Sequence, residues 1–260
     1  MILRRLSQSL KEQNWMAICI EFVLLVVGVF LGIQVANWNV ERETNKKAVE
    51  ATEKLIADLR AEGWRYQFLM EYHRDVRDAA EKTVNALSGK APLSNEEFLI
   101  NAYRASQYKQ GAVRRSTYDE LVSTGNIALI KDQKLRNISV RNYSLTTIDS
   151  LVKESVDSHY RELFRMTVPN DVQRTLAKEC GDLYILPGDY KNFDHNIDYP
   201  CKTGLPAEVI DDAANALRSD PQTIRYLRHR IADLETRLVD MKQNNRDVLE
   251  ALLVIAKEKP

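Results

Sequence analysis

The chain has 260 residues, of which 44% are hydrophobic and 28% are charged, a composition typical of folded proteins rather than disordered ones. Lys and Arg together number 37, as do Asp and Glu, so the formal net charge at pH 7 is zero. This balance excludes the strong overall basic charge with which many proteins gather nucleic acid, and we expect no nucleic-acid partner.

An apolar run near the N-terminus is long enough to cross a bilayer. It extends over 21 residues, from Met16 to Ala36, and a helix of that length spans about 30 Å, the thickness of the hydrocarbon core. Trp15 and Trp38 bracket the run, and indole rings favour the headgroup level as interfacial anchors. No small-x-small cleavage site follows the run. We therefore predict an uncleaved transmembrane helix over residues 15–38, with the lipid bilayer as its partner.

The orientation of this predicted helix does not follow from its flanking charges. Basic residues occur both before and after the apolar run, so the positive-inside rule does not decide between the two orientations. We expect a single-pass protein of a bacterial inner membrane, with residues 1–14 in the cytosol and residues 39–260 forming a periplasmic helical domain. Cysteine usage favours this assignment.

Glu21 is a charged residue at the head of the apolar run. On a helical wheel, Gly28 and Gly32 fall within about 20° of it, and Leu25 and Val35 complete the same stripe. The Gly-x-x-x-Gly spacing lets two membrane helices approach closely, and a carboxyl group on that face would avoid lipid. We predict a homo-oligomer formed through this face. Two alternatives remain open: Glu21 reaches the headgroups without a partner, or a ring of Glu21 carboxyl groups conducts ions or protons.

The region after the span predicts a helical bundle. Residues 40–88 contain Gly63 but no other glycine and no proline, and apolar residues recur there at three- and four-residue spacing, which indicates one long amphipathic helix. Further helix starts are signalled by caps and prolines. The helices expected are one capped by Ser94 with Glu97, Ser116–Ser123, a long one over Asp132–Val168, one capped by Asn170 or Asp171, one opened by Pro206, and a last one from Pro221 to about Lys257.

The expected fold class is therefore all-α. The N-terminal transmembrane helix continues into the long helix of an antiparallel bundle, which has two long outer helices, one long central helix and several short connectors. Little of the sequence has the alternating pattern of β-strands.

Cys180 and Cys201 flank a stretch rich in Pro, Gly, Asp, Asn and Tyr, within an irregular segment of residues 180–205. A disulfide between them would close a loop of about twenty residues and contribute roughly 3 kcal/mol by the chain-entropy argument. Such bonds persist in oxidising compartments such as the periplasm. Two free buried thiols are the alternative.

Two stretches carry a resemblance to a known family. In "EFVLLVVGVFLGIQVANWNVERE" an acidic residue leads an apolar run that closes on Gln-x-x-x-Trp-Asn-x-x-Arg, and in "TYDELVSTGNIALIKDQKLRNISVRNY" a Tyr-x-x-Leu-x-x-x-Gly helix is followed by Ile-Lys-Asp. The pattern resembles a bacterial family of single-pass membrane proteins of unknown function. The resemblance implies a membrane-anchored helical domain and transfers no catalytic or ligand-binding residues.

The sequence has no pattern that indicates catalysis. A Gly-rich phosphate loop and the HExxH, GxSxG and CxxC motifs are all missing, and the four histidines lack metal-ligand spacing. We therefore expect no enzyme activity, no metal and no cofactor. The sequence around His195, which lies between Asp194 and Asp198, is interpreted as a solvated turn, with weak binding of a divalent ion as the alternative.

Two polar clusters remain in the soluble part. Tyr118, Asp119 and Glu120 precede Gly125 and form either a helix cap and turn or a polar docking groove. The basic clusters are interpreted as salt-bridged, solvated faces. They consist of Arg114, Arg115, Arg225, Arg228 and Arg230.

The function expected from these features is a membrane-anchored interaction, scaffold or sensory role, with an unidentified membrane or periplasmic protein as a further partner. The alternative is an oligomeric ion pore or proton-coupled subunit that uses Glu21. A hydrolase in the helical domain is the last possibility.

Overall fold

The computed structural model describes residues 15–192 and 196–257, and within these ranges the regular structure is entirely helical. This confirms the predicted all-α class. The helices are α1 (Trp15–Leu87), α2 (Asn95–Ala105), α3 (Ser116–Ser123), α4 (Gln133–Ser144), α5 (Thr147–Val156), α6 (His159–Thr167), α7 (Asn170–Cys180), α8 (Ala207–Ser219), α9 (Pro221–Val239) and α10 (Arg246–Lys257).

Helix α1 is continuous over 73 residues, which corresponds to about 110 Å. None of its described residues before Ala48 is buried, whereas one face is buried from Ala48 to Ala86. The continuation of the apolar N-terminal helix into the bundle is thus confirmed. The buried face includes most of the predicted stripe, namely Ala48, Leu55, Leu59, Phe68, Leu69, Tyr72, Val76 and Ala79.

Helices α2, α9 and α10 make the main contacts with α1, and α3 makes a smaller one. The remaining helices pack mainly against α2, α9 and α10. The C-terminal part of the chain runs antiparallel to α1, since Tyr66 donates its O–H to the Met241 carbonyl and Arg60 donates to the Ile255 carbonyl. Two large hydrophobic cores and a small cluster of Trp64, Phe68 and Leu69 occur among the described residues. A core near residue 60 of α1 includes Leu234 of α9, and a core near residue 80 includes Leu227 of the same helix.

Local signals at the helix starts are confirmed. The Ser94 side chain accepts from the Glu97 N–H while the Glu97 carboxylate accepts from the Ser94 N–H, which is the predicted capping box. Asp132 and Asp220 accept from backbone N–H groups at the starts of α4 and α9. Helix α3 has the predicted bounds, Ser116–Ser123.

The predicted long helix over Asp132–Val168 is wrong, because that segment forms three helices, α4, α5 and α6. The backbone is extended at Leu145 and at Ser158. Weak helix formers surround both breaks: two threonines follow Leu145, and Asp157 precedes Ser158. Leu145 instead packs against the core that contains Leu234. The central long helix of the bundle is therefore α1 itself.

Two smaller expectations also differ from the structure. The last helix is interrupted by a π-helical turn at Asp240–Asn244, where the Asn245 side chain donates to the Asp240 carbonyl at 3.0 Å and to the Thr147 hydroxyl at 3.1 Å. A side chain that inserts into the helical hydrogen-bond ladder in this way interrupts it. Helix α7 begins after Pro169, which takes the N-cap position expected for Asn170 or Asp171.

Gly63 lies at a close contact between α1 and α10, unlike Gly28 and Gly32 of the same helix. A Cβ atom there would lie 3.1 Å from the Leu252 carbonyl oxygen. We expect Gly63→Val to lower the free energy of unfolding by roughly 1–3 kcal/mol through overpacking. Ala57→Val, at an exposed position of the same helix, should cost less than about 1 kcal/mol. Urea unfolding in mild detergent measures both, and equal losses would contradict the close contact.

Candidate functional site

The first part of α1 exposes the predicted membrane face. By length and composition, α1 is the one helix among the described residues that is able to span a membrane, and none of its apolar window is buried in the protein. Trp15 and Trp38, the predicted anchors, are 69% and 62% exposed. Because none of the apolar window is buried, its exposed apolar side chains can contact lipid or another protein.

The five residues of the predicted interface line one side of this open segment. Leu25 and Val35 are exposed, and a Cβ atom added at Gly28 or Gly32 would meet nothing within 4 Å. Glu21 differs from its neighbours because its Oε2 atom is shielded from solvent and has no hydrogen-bond partner among the described residues. The two glycines leave a shallow surface on which a second helix can approach closely.

Tyr118, Asp119 and Glu120 are not brought together around a cavity. Asp119 accepts two hydrogen bonds from the Arg115 Nε and Nη2 atoms at 2.9 Å each, as an ion pair within one turn. The Tyr118 ring lies against the Tyr143 ring with centroids 4.7 Å apart, and Glu120 is exposed. A neighbouring cavity of about 60 Å³ is lined by other residues, among them Tyr143 and Arg115.

The irregular segment after α7 is fastened at several points. Cys180 and Cys201 are joined by a disulfide. The Tyr72 hydroxyl donates to Asp182 at 2.9 Å, and the Trp64 indole N–H donates to the Asp189 carbonyl at 3.0 Å. The segment is thereby held against α1. The predicted turn at Asp194 and His195 lies outside the described residues, and no cluster of three metal-ligating side chains occurs in the ranges that the structure does describe.

Arg230 is buried, so the interpretation of its cluster as a solvated face is wrong for this residue. Its side chain is 2% exposed, and its two terminal nitrogens donate to the Ser155 hydroxyl at 2.8 Å and the Gln107 carbonyl at 3.0 Å. Burial lowers the pKa of Arg230 to about 10. The position of Arg230 between Leu227 and Leu234, in the three- and four-residue register of the α9 stripe, is the signal that could have revealed it.

His73 is a second buried polar side chain, and it is near enough to Arg230 to feel its charge. The side chain is fully buried, its Nδ1 atom is 2.7 Å from the Leu69 carbonyl oxygen, and its Nε2 atom has no partner in the described chain. Burial lowers the pKa of His73 to about 4, and the Arg230 charge acts in the same direction. His73 is therefore neutral in the folded protein at physiological pH.

A polar cleft lies between α1, α2 and residues 198–201. It has a volume of about 380 Å³. Arg104, which is 6% exposed, donates from Nη2 to the Tyr199 carbonyl at 2.6 Å. The Asp198 Oδ1 atom is 3.5 Å from Arg104 Nη1 and 3.6 Å from Lys82 Nζ. No sequence pattern indicates this cleft, because its residues come from three distant segments.

Asp75 is a half-buried carboxyl group near the same end of α1. Its Oδ2 atom is shielded and has no partner among the described residues. Burial raises the pKa of Asp75 to about 7, and the charges of Asp198, Asp78 and Glu71 contribute to the rise. Asp75 thus holds a proton in part at neutral pH.

Comparisons with protein-family models, with curated proteins and with solved structures found no match.

The opposite pKa shifts of His73 and Asp75 give a testable pH dependence. The pKa of His73 falls from 6.5 to about 4 on folding, so the free energy of unfolding gains about 1.4 kcal/mol per pH unit as pH rises through that range. The pKa of Asp75 rises from 3.8 to about 7, so its contribution falls as pH rises.

We expect these two slopes to oppose each other in the wild-type protein between pH 4 and 6.5. In Asp75→Asn, the free energy of unfolding should rise more steeply with pH than it does in the wild-type protein. His73→Gln should give the reverse trend. Denaturant unfolding at several pH values measures the three slopes, and parallel curves would show that the two groups do not titrate as described.

Proposed function

We propose that the chain is a membrane-anchored helical protein that self-associates through the first part of α1, and that its bundle serves an interaction, scaffold or sensory role. The observation that carries this proposal is the continuity of α1. The same unbroken helix presents an open apolar segment and then forms the centre of the bundle.

The open segment supports a membrane anchor. Its valine, leucine and phenylalanine side chains are about half exposed or more over the whole apolar run. Soluble proteins rarely leave so large a contiguous apolar surface in water. A bilayer would cover it over the length that a spanning helix requires.

The Cys180–Cys201 disulfide supports a periplasmic location for the bundle. Disulfides persist in oxidising compartments and are rare in the cytosol. With the bundle in the periplasm of a bacterial inner-membrane protein, residues 1–14 lie on the cytosolic side. The resemblance to a family of single-pass membrane proteins agrees with this arrangement and remains a prediction.

Pairing of the membrane helices could affect the bundle, because the same helix α1 forms part of both. Residues 48–86 of α1 are packed against α2, α9 and α10. A rotation or shift of α1 in the membrane would therefore have to be accommodated at these interfaces. Helix shifts of this kind are a common mechanism by which packed helices transmit a signal.

The glycine face provides the test of self-association. Gly28→Ile combined with Gly32→Ile places two branched side chains on the proposed interface, and we expect the association constant to fall roughly tenfold or more. Val26→Ile, about 140° from Glu21 around the helix, is the matched control and should associate like wild type. Energy transfer between labelled copies in proteoliposomes measures association, and native mass spectrometry from mild detergent gives the subunit number. Equal association of the glycine variant and the control would refute the proposal.

The alternative function is an ion pore or proton-coupled subunit built around Glu21. The shielded, unpartnered Oε2 atom of Glu21 is the observation that favours it, because an intramembrane carboxyl group needs a partner or a polar path. Under this alternative, Glu21→Gln should abolish ion movement through proteoliposomes but preserve self-association. Proton flux monitored with an internal pH dye distinguishes the two functions, since a wild-type protein without flux would exclude the pore.

A further inference from the structure

The cleft beside Arg104 joins three parts of the fold. Lys82 comes from α1, Arg104 from α2, and Asp198 from the segment closed by the disulfide. Its volume of about 380 Å³ lies within the range of small-molecule sites. The lining residues are Lys82, Glu97, Ile100, Asn101, Arg104, Asp198, Tyr199, Pro200 and Cys201.

The cations of the cleft make only loose contacts with carboxylates. Asp198 is shared between Lys82 and Arg104, and both contacts are near 3.5 Å, which is longer than the 2.7–2.9 Å typical of charge-assisted hydrogen bonds. Glu97 also lines the cleft and keeps its negative charge, but its Oε2 atom is directed to Ser94, accepting from the N–H at 3.0 Å and from the hydroxyl at 2.7 Å. The lining thus carries two cations and two carboxylates, and among the described residues neither cation has a carboxylate oxygen closer than 3.5 Å. The Asp75 carboxyl group is also near enough to act electrostatically on Arg104.

Arg104 is buried, so its loose contact with Asp198 leaves its charge poorly compensated. Its side chain is 6% exposed, and a guanidinium that is removed from water requires compensation by opposite charge or hydrogen bonds. Its Nη2 atom has the Tyr199 carbonyl, whereas its Nε atom has no partner in the described chain. Nη1 has only the 3.5 Å contact with Asp198 among the described residues.

We propose that this cleft binds a free α-amino acid through both of its charges. The ligand carboxylate lies between Lys82 and Arg104, and the ligand ammonium pairs with Asp198. A zwitterion offers Lys82 and Arg104 a carboxylate and offers Asp198 an ammonium group. A simple carboxylate would instead be repelled by Asp198, and a simple amine would be repelled by Lys82 and Arg104. Ile100 and Pro200 provide apolar surface for the ligand side chain.

This ligand class deepens the sensory role in the proposed function, but binding at the cleft does not depend on pairing of the membrane helices. Lys82 lies on α1, and Asp198 lies on the segment that Tyr72 and Trp64 fasten to α1. Binding would therefore tighten the contact of α1 and this segment with Arg104 of α2. If the binding test failed, the amino-acid proposal would be rejected, and the result of the self-association experiment would still stand on its own.

The first experiment uses the full chain in mild detergent and three matched probes. L-Alanine carries both charges, propionate lacks the ammonium group, and ethylamine lacks the carboxylate. We expect millimolar L-alanine to raise the unfolding temperature monitored by tryptophan fluorescence, with little effect of the other two. The proteinogenic amino acids are then ranked in the same assay. Equal shifts with propionate or ethylamine, or no shift with any amino acid, would overturn the proposal.

Substitutions at exposed members of the cleft localise the binding. Lys82→Met should raise the dissociation constant for the amino acid, measured by calorimetry, roughly tenfold or more. Asp198→Asn should weaken amino-acid binding and improve propionate binding, so that the preference between the two falls or reverses. Lys54→Met, an exposed lysine of the same helix far from the cleft, is the control and should bind like wild type. Unchanged binding in both cleft variants would refute the site.

Discussion

The bundle depends on burial of the apolar stripe along α1. Leu55, Leu69 and Val76 on this stripe are fully buried, and α2, α9 and α10 each lie against it. Removal of such side chains from water is the main favourable term in folding. Because these helices are fastened to α1 rather than to one another in a closed ring, the geometry of the bundle follows the position of α1. The same helix carries the open apolar segment, so that segment and the bundle share one rigid element.

The features that can be predicted well from the sequence are local ones. The Ser94–Glu97 capping box and the Asp132 and Asp220 caps depend on residues within three or four positions of each other, so the sequence pattern contains the whole interaction. The α1 stripe is equally local, because its spacing alone places it on one face. The breaks at Leu145 and Ser158 cannot be predicted in this way, since periodicity continues across both. At the first break, Leu145 is partly buried against a core formed by distant residues.

Buried charge is the second feature that the sequence does not reveal. Arginine is mostly exposed in proteins, so neither Arg104 nor Arg230 is predicted to be buried from its residue type alone. Both are held by oxygen atoms from other segments, the Tyr199 carbonyl for Arg104 and the Gln107 carbonyl for Arg230. Arg161 also donates to the Ser106 carbonyl at 2.8 Å. Arg161 and Arg230 thus bind carbonyl groups just beyond the C-terminus of α2, where the helix dipole favours positive charge.

A ligand bound in the cleft beside Arg104 would act where α1, α2 and the disulfide-closed segment meet. The cleft and the Glu21 face lie 61 positions apart on α1, from residue 21 to residue 82, about 90 Å along the helix axis. A ligand shifts an equilibrium only by its difference in affinity for two arrangements. The disulfide-closed segment is fastened to α1 at Trp64 and Tyr72 and to α2 at Arg104, so it bridges the two helices. The contact that a ligand can alter is the one at Asp198, which Lys82 of α1 and Arg104 of α2 share. A change there would tilt or rotate α1 against α2, and the open end of the same helix would have to follow.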